Sequence, residues 1–148
     1  MRVVIGADSV GQPLLAVVGK HLAETPGVVV TDLSPKDSKE FYAEIAERAA
    51  KAILAGEFDR GVLICGTGIG MSISANKVRG IRAALAHDTY SAERAAKSNN
   101  AQIVTMGARV IGPELAKAIV DMYLRSTFDP AGPSAANVAA LNALDARG

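Results

Sequence analysis

Short apolar runs alternate along this chain with longer segments in which apolar residues recur every three or four positions. The runs predict buried strands, and the wider spacing predicts amphipathic helices. Strands are expected at 2–6, 28–31, 61–64, 81–86 and 103–106. Helices are expected at 11–23, 41–55, 71–78, 91–97, 113–125 and about 134–145. This alternation indicates an α/β fold in which helices cover both faces of a parallel sheet.

Length and charge narrow the class of protein. The 148 residues suit one domain spanning 1–148, with no internal repeat or linker. The net charge of +1 lacks the basic character of nucleic-acid-binding proteins, so no nucleic-acid partner is expected. No stretch approaches the ~20 apolar residues of a membrane span, and the first apolar run is too short for a secretory signal. We therefore expect a cytoplasmic protein with no membrane partner.

The chemistry is expected at one edge of the sheet, because ligands of parallel α/β folds bind at the carboxyl ends of the strands. The loop 65–70 stands out there, with the sequence Cys65-Gly66-Thr67-Gly68-Ile69-Gly70. It joins the only cysteine of the chain to a glycine-rich turn and a helix start. Free backbone N–H groups in such a loop can hold an anion, and a helix N-terminus favours a thiolate. The loop therefore offers both a base and a set of donors.

The residue types alone leave simpler interpretations open. A buried cysteine is often only a small core residue, and the glycines can serve a tight turn. The loop also resembles a dinucleotide-binding fingerprint, but the glycine spacing differs and the loop follows the third strand rather than the first. Cys65, His21 and His87 share no ligand spacing, so neither a metal site nor a cofactor is expected.

A wider pattern carries a family resemblance. Besides the loop, it includes 71–72, 75–77, 80–84, 87–92 and 107–116. Together these segments resemble the ribose-5-phosphate isomerase B family, which also contains galactose-6-phosphate isomerase subunits. The resemblance covers almost the whole chain. It implies a Rossmann-like αβα sandwich with a five-stranded parallel sheet, and a homodimer or dimer of dimers with shared active sites.

The reaction that the resemblance implies is aldose–ketose isomerisation of a phosphorylated sugar through a cis-enediolate. Cys65 would be the base, and Thr67 would hydrogen-bond a substrate oxygen or relay a proton. Asp8 would bind substrate hydroxyls, with Ser9 beside it, and Asn99 would reach the site from the partner subunit. The backbone donors are expected at Gly66, Gly68, Ile69 and Gly70. From residue types alone, the simpler roles are favoured: Asp8 as a turn or cap residue and Asn99 as a helix C-terminal cap.

Several positions depart from the family pattern. The family has histidine where this chain has Ser9 and Ser98, and its C-terminal phosphate-binding arginines align near Pro133 and Asn137. The segment before the second helix also differs, with Ser38 at its start. The histidine matching Ser98 would protonate a ring oxygen, which a closed pentose requires. An aldotetrose 4-phosphate cannot close a five-membered ring, because its O4 is esterified.

The departures therefore favour the D-erythrulose-4-phosphate isomerase branch, which interconverts D-erythrulose 4-phosphate and D-erythrose 4-phosphate. Ribose 5-phosphate is the alternative substrate. Arg109 is the candidate for the phosphate, since a guanidinium binds phosphate bidentately, while Arg94 and Lys97 are expected to be solvated. Two readings from other classes stay open: a non-catalytic subunit of a mixed assembly, and a nucleotide-binding module. The C-terminal helix is expected to pack on a partner subunit.

Overall fold

The computed structural model describes residues 1–35 and 39–148, so Ser38 lies outside the described residues. The strands are β1 (Arg2–Ala7), β2 (Val29–Asp32), β3 (Arg60–Cys65), β4 (Ala83–Leu85) and β5 (Ile103–Gly107). The helices are α1 (Gln12–Ala23), α2 (Tyr42–Leu54), α3 (Ile69–Asn76), α4 (Thr89–Lys97), α5 (Pro113–Arg125) and α6 (Ala135–Arg147). The element order matches the expected one, with boundaries shifted by a few residues.

All strand pairs in the sheet are parallel, and the strand order is β2-β1-β3-β5-β4. The expected five-stranded parallel α/β fold is confirmed. Because successive strand residues face opposite sides of a sheet, β3 divides its apolar residues between two cores. Val62 and Ile64 face the core with α1, α4 and α5, whereas Leu63 and Cys65 face the core with α2 and α3. Cys65 therefore ends its strand beneath α3.

Helix α6 is attached to its own chain mainly by polar contacts. Asp145 accepts a hydrogen bond from the N–H of Gly80 at 2.6 Å, and Asn142 accepts one from the guanidinium of Arg82 at 2.9 Å. Its one buried residue is Val138, while Leu144 is 60% exposed. The helix thus keeps an apolar face in contact with solvent. No helix in the described ranges is long and apolar enough to cross a membrane.

Candidate active site

The sheet register brings the expected site loops to one edge. Ala7 pairs with Ile64, and Cys65 pairs with Gly107. Asp8 follows Ala7 directly, so it leaves the sheet at the level of Cys65. The carboxyl ends of β1, β3 and β5 therefore meet around the thiol, as the parallel topology requires.

The sulfur of Cys65 lies directly under the glycine-rich loop. The N–H of Gly68 donates a hydrogen bond to Sγ at 3.2 Å. This geometry depends on the backbone of Gly68, whose φ of +79° lies in the left-handed region that favours glycine. Only 4% of Cys65 is exposed, although Thr67 and Ile69 above it are exposed. The thiol is thus buried beneath the glycine-rich loop.

Strand β5 holds the loop from the other side. The buried hydroxyl of Thr105 donates to the carbonyl of Gly68 at 2.9 Å, and the N–H of Arg109 donates to the carbonyl of Gly66 at 3.0 Å. A Cβ on Gly107 would lie 2.6 Å from Cα of Thr67, so the two segments are in direct backbone contact. The loop conformation is therefore set by β5 as well as by its own glycines.

His87 fixes the end of that strand. Its Nε2 accepts a hydrogen bond from the N–H of Gly107 at 2.9 Å. An imidazole whose Nε2 accepts is neutral and carries its proton on Nδ1. His87 therefore supports the glycine-rich loop indirectly, through Gly107.

The first turn of α3 supplies the donors of the site. Two of the expected donors are used within the chain, because Gly68 donates to Cys65 and Ile69 donates to Oγ1 of Thr67 at 3.3 Å. The N–H groups of Gly70 and Met71 have no hydrogen-bond partner among the described residues. They are the free donors at the helix start and can hold a negatively charged oxygen.

A tyrosine ring flanks these donors. A Cβ placed on Gly70 would lie 2.6 Å from the ring of Tyr42, at the start of α2. The absence of a side chain at Gly70 therefore lets Tyr42 cover the first turn of α3, and 44% of Tyr42 stays exposed.

Asp8 has a structural contact as well as a free oxygen. Its Oδ1 accepts a hydrogen bond from the N–H of Gly11 at 3.0 Å, as in a turn residue, and Oδ2 has no partner in the described residues. Ser9 is exposed beside it. The turn role and the substrate-binding role expected of Asp8 are thus compatible.

Arg109 carries an uncommitted guanidinium at the same edge. Its side chain is exposed and makes no hydrogen bond or ion pair with the described residues. Its Cδ and Nη1 lie 3.7 and 3.8 Å from the position that a Cβ on Gly66 would take. The guanidinium is therefore beside the glycine-rich loop.

The structure does not bring Asn99 to this edge within one protomer. Asn99 follows α4, which starts beyond the carboxyl end of β4 and ends near the amino end of β5. Its N–H donates to the carbonyl of Arg94, and its side chain is exposed. Asn99 thus lies at the opposite edge of the sheet from Cys65 of its own chain.

Sequence patterns offered little sign that Thr105, Tyr42 and Leu85 belong to this site. A lone hydroxyl in the apolar strand 103–107 was the available signal for Thr105, because a buried hydroxyl needs a partner. Leu85 packs directly on Gly68, because a Cβ placed on Gly68 would lie 2.6 Å from Cδ1 of Leu85. Neither Tyr42 nor Leu85 carries a comparable signal.

Two structural findings bear on ligands. None of five cavities on the protomer surface is lined by Cys65; one of about 690 Å³ lies at the opposite edge, next to His21 and Asp121. In the described ranges 1–35 and 39–148, no group of three histidine, cysteine or acidic residues could hold a metal ion. In one protomer the site is therefore marked by its free donors at the edge of the sheet.

Comparison with known proteins gives consistent matches. The family model for ribose/galactose isomerases matches residues 3–141. The chain is 51% identical over 134 residues to D-erythrulose-4-phosphate isomerase of Pectobacterium atrosepticum, covering 89% of this chain and 88% of that protein. It is 48% identical over 146 residues to ribose-5-P isomerase B of Listeria innocua, covering 98% and 97%.

A solved structure agrees over the same length. Ribose-5-phosphate isomerase B of Clostridium thermocellum superposes with a TM-score of 0.93 and 36% identity, covering 99% of both chains. With a matching family model, two relatives near half identity and a shared fold, the chain belongs to the ribose/galactose isomerase family of sugar-phosphate isomerases.

Proposed function

We propose that this enzyme interconverts the aldose and ketose forms of a tetrose 4-phosphate, with Cys65 as the base. The observation that carries the proposal is the hydrogen bond from the N–H of Gly68 to Sγ of Cys65. An N–H donor stabilises negative charge on sulfur, and the α3 N-terminus adds its positive end. The loop that gives this bond leads into α3, whose first-turn N–H groups of Gly70 and Met71 are unpartnered among the described residues.

The reaction needs a base and an oxyanion site. The thiolate of Cys65 removes a proton from the carbon next to the carbonyl. The electron pair of that C–H bond forms the C=C bond of a cis-enediolate, and the carbonyl oxygen takes the negative charge. The thiol then returns the proton to the neighbouring carbon, and the other oxygen becomes the carbonyl. The hydroxyl of Thr67 moves the proton between the two oxygens.

The free donors on α3 lower the barrier of this step. The N–H groups of Gly70 and Met71 point from the start of a helix, where negative charge is favoured. A backbone donor aimed at a developing oxyanion contributes about 3–4 kcal/mol to transition-state stabilisation. The loop geometry is thus as important to turnover as the thiol itself.

The tetrose is favoured by Ser98. A pentose 5-phosphate needs an acid to open its ring, and this chain has serine where that acid is expected. Its two histidines have other partners: His87 accepts from Gly107, and His21 lies 2.7 Å from Asp121. A tetrose 4-phosphate needs no ring opening. The relatives at 51% and 48% identity carry both substrate names, so identity alone does not separate the two.

A second copy of the chain completes the site in this proposal. An apolar patch surrounds the glycine-rich loop, with exposed fractions from 40% to 73%: Phe41, Tyr42, Ile69, Ile73 and Leu85. An isologous dimer that buries this patch would cover Cys65 and carry Asn99 of the partner subunit to it. The exposed face of α6 is a further surface for that interface. Arg109, free beside Gly66, is then positioned for the phosphate.

A panel of phosphosugars tests the function. The chain alone is incubated in deuterated solvent with D-erythrulose 4-phosphate, ribulose 5-phosphate or galactose 6-phosphate, and deuterium incorporation is measured with turnover. A kcat/KM for the tetrose at least about tenfold above the pentose supports the proposal, since such a ratio equals about 1.4 kcal/mol of selectivity. A preference for the pentose overturns the substrate, and no exchange with any sugar overturns the isomerase role of the isolated chain.

A further inference from the structure

A polar network around Gln12 lies at the carboxyl ends of β1 and β2, next to the residues assigned to the site. Gln12 is the first residue of α1 and is half-buried. Its Nε2 donates one hydrogen bond to the carbonyl of Ala7 at 2.8 Å and another to Oγ of Ser34 at 3.1 Å. Both amide protons are therefore used to join the ends of two neighbouring strands.

The chemistry of the partners fixes the direction of these bonds. A carbonyl can only accept, so the amino group of the Gln12 side chain faces Ala7. Oγ of Ser34 lies 2.5 Å from Oδ1 of Asp32, and because a carboxylate only accepts, the hydroxyl donates to it. The N–H of Ser34 donates to the same oxygen at 2.8 Å. The network thus runs from Gln12 through a buried hydroxyl to a charged acceptor, which strengthens its bonds.

The carbonyl of Ala7 needs this side chain because β2 ends too early to serve it. The carbonyl of Ile5 accepts from the N–H of Leu33, just after the last residue of β2, at 3.0 Å. By the alternation of a strand, the carbonyl of Ala7 faces the same side, beyond the last pairing with β2. A buried carbonyl without a donor costs free energy, so the side chain of Gln12 continues the ladder.

The peptide unit held by Gln12 is the one that carries Asp8. The carbonyl of Ala7 and the N–H of Asp8 belong to the same planar unit, so the bond fixes the backbone from which Asp8 extends. The carbonyl of Asp8 accepts from the N–H groups of Gly11 and Gln12, both at 3.1 Å, and Oδ1 accepts from Gly11 at 3.0 Å. Oδ2 makes no hydrogen bond with the described residues and is left for a substrate.

The turn 8–11 also lies against the strand that carries the proposed base. A Cβ on Gly11 would overlap the carbonyl oxygen of Ile64, the residue before Cys65. The backbones of the turn and of β3 are therefore in direct contact. The position of Asp8 relative to Cys65 is set by this contact on one side and by Gln12 on the other.

The Ser34 end of the network is anchored as well. Arg48 on α2 donates to the carbonyl of Leu33 at 2.9 Å and to the carboxylate of Glu40 at 2.7 and 2.8 Å. These bonds attach the segment after β2 to α2. Ser34 thus gives Gln12 a partner that is itself held in place.

We infer that Gln12 is a positioning residue for Asp8, and that Ser34 assists it by accepting the second amide proton. The inference rests on the proposed function, in which Asp8 binds hydroxyls of the sugar phosphate. Gln12 acts through Asp8 and not by contact with the reacting atoms. A contact that Asp8 makes equally in the ground state and the transition state affects KM and leaves kcat unchanged. The loss of Gln12 should therefore appear in KM.

Steady-state kinetics compare three variants. Gln12→Met keeps the length of the side chain and removes both donors. Gln102→Met is the matched control, because Nε2 of Gln102 also donates to a backbone carbonyl at 2.8 Å, that of Gly80, at the opposite edge of the sheet. We expect Gln12→Met to raise KM for D-erythrulose 4-phosphate about tenfold with kcat within about twofold, Ser34→Ala to raise KM less, and Gln102→Met to keep both constants. An unchanged KM in Gln12→Met, or an equal effect in the two methionine variants, overturns the inference.

A double-mutant cycle with Asp8→Ala tests the route of the effect. Solvent deuterium exchange into the sugar measures the residual activity. If Gln12 acts through Asp8, Gln12→Met lowers kcat/KM about tenfold in the wild-type background and less than about twofold in the Asp8→Ala background. Equal losses in both backgrounds mean that Gln12 affects the site without Asp8, and they overturn the inference.

Amide hydrogen exchange measures the same role without a substrate. The N–H of Gly11 is buried and donates to Asp8, whereas Val4, fully buried in β1, reports global unfolding. Gln12→Met should raise the exchange rate of Gly11 relative to that of Val4 at least about tenfold, and Gln102→Met should not. An unchanged ratio in Gln12→Met overturns the inference. The expected rise in a chain that turns over no sugar retains the positioning role and overturns the proposed function instead.

Discussion

Nε2 of His87 accepts a hydrogen bond from the N–H of Gly107 at 2.9 Å, at the ends of the neighbouring strands β4 and β5. Gly107 is in turn in backbone contact with Thr67 of the glycine-rich loop. The position of the loop thus depends on a side chain two strands away from Cys65. This relation connects His87 on the outer side of the sheet to the glycine-rich loop through Gly107.

Two substitutions of His87 distinguish the effect of its hydrogen bond from the effect of its ring. Glutamine places an acceptor near the position of Nε2, whereas leucine leaves the N–H of Gly107 without a partner. We expect His87→Leu to lower the free energy of unfolding by about 1–3 kcal/mol, the cost of an unsatisfied buried donor, and His87→Gln to recover most of it. Turnover should fall about tenfold in the leucine variant, since a 1.4 kcal/mol rise in the barrier has that effect. Equal turnover in both variants would refute the positioning role.

The left-handed backbone of Gly68 can be tested against a glycine with the same dihedral angle. Gly56 also has φ of +79°, but nothing lies within 4 Å of a Cβ there, whereas a Cβ on Gly68 would meet the backbone of Met106 at 2.7 Å. Gly56→Ala should cost about 1–2 kcal/mol through the dihedral angle alone. Gly68→Ala should cost about 1–3 kcal/mol more, because the neighbouring backbone must move.

Activity distinguishes the two alanine variants further. Gly68→Ala displaces the N–H that points at Cys65 and shifts the start of α3, where the donors of Gly70 and Met71 lie. We therefore expect turnover to fall at least about a hundredfold, the effect of losing an oxyanion donor. Gly56→Ala should turn over as the wild type does. Chemical denaturation and steady-state kinetics provide both measurements, and a fully active Gly68→Ala would remove the loop geometry from the mechanism.

The sequence pattern predicted the fold because each strand is a short apolar run and each helix has a regular apolar face. Strand β3 shows this alternation, since successive side chains enter opposite cores of the covered sheet. Val62 and Ile64 lie in one core, and Leu63 and Cys65 lie in the other. Boundaries were less certain: β4 has three residues, Ala83–Leu85, where the apolar run suggested six. Ile81 and Ala86 are buried at the two ends of this short strand, and the N–H of Ala86 donates to the carbonyl of Thr105 on β5 at 3.0 Å.

The site was predictable only in its local part. The segment from Cys65 to Gly70 forms its own turn, so its residues specify most of its geometry. Contacts between distant segments, such as Tyr42 with Gly70, depend on packing that no local pattern records.

The single cysteine allows an unambiguous test of the base. Cys65→Ser and Cys65→Ala should retain the fold and lower kcat by about 10²–10⁴, the usual contribution of a positioned base. Iodoacetamide should inactivate the wild-type enzyme with one equivalent of label, and D-erythrulose 4-phosphate should protect it. Near-wild-type turnover of Cys65→Ala, or full activity after complete labelling, would place the base elsewhere.

Ile73 tests the proposed dimer. It lies on α3 and is 55% exposed within the apolar patch around the loop. Ile73→Lys should convert the dimer to a monomer and lower turnover at least about a hundredfold, because a desolvated charge in an interface costs several kcal/mol. Val29→Lys is the control, since Val29 is 66% exposed on β2, outside the patch. Sedimentation velocity gives the mass, and a wild-type monomer with full activity would contradict the shared site.

The phenol of Tyr123 should make the free energy of unfolding depend on pH in the alkaline range. Tyr123 is fully buried, donates to the carbonyl of Ala101 at 2.5 Å and has Arg60 over its ring; burial raises its pKa well above the ordinary value. Above about pH 10 the unfolded chain loses this proton and the folded chain keeps it. The unfolded state then binds fewer protons, so the free energy of unfolding decreases as pH rises, by up to about 1.4 kcal/mol per pH unit.

Tyr123→Phe separates this effect from the hydrogen bond. Near neutral pH the variant should be less stable than the wild type by about 1–2 kcal/mol, because the carbonyl of Ala101 loses its donor. The difference should shrink above about pH 10, where only the wild type carries the titrating phenol. Urea denaturation of both proteins across this range measures the two slopes. Parallel slopes would mean that another group causes the alkaline loss of stability.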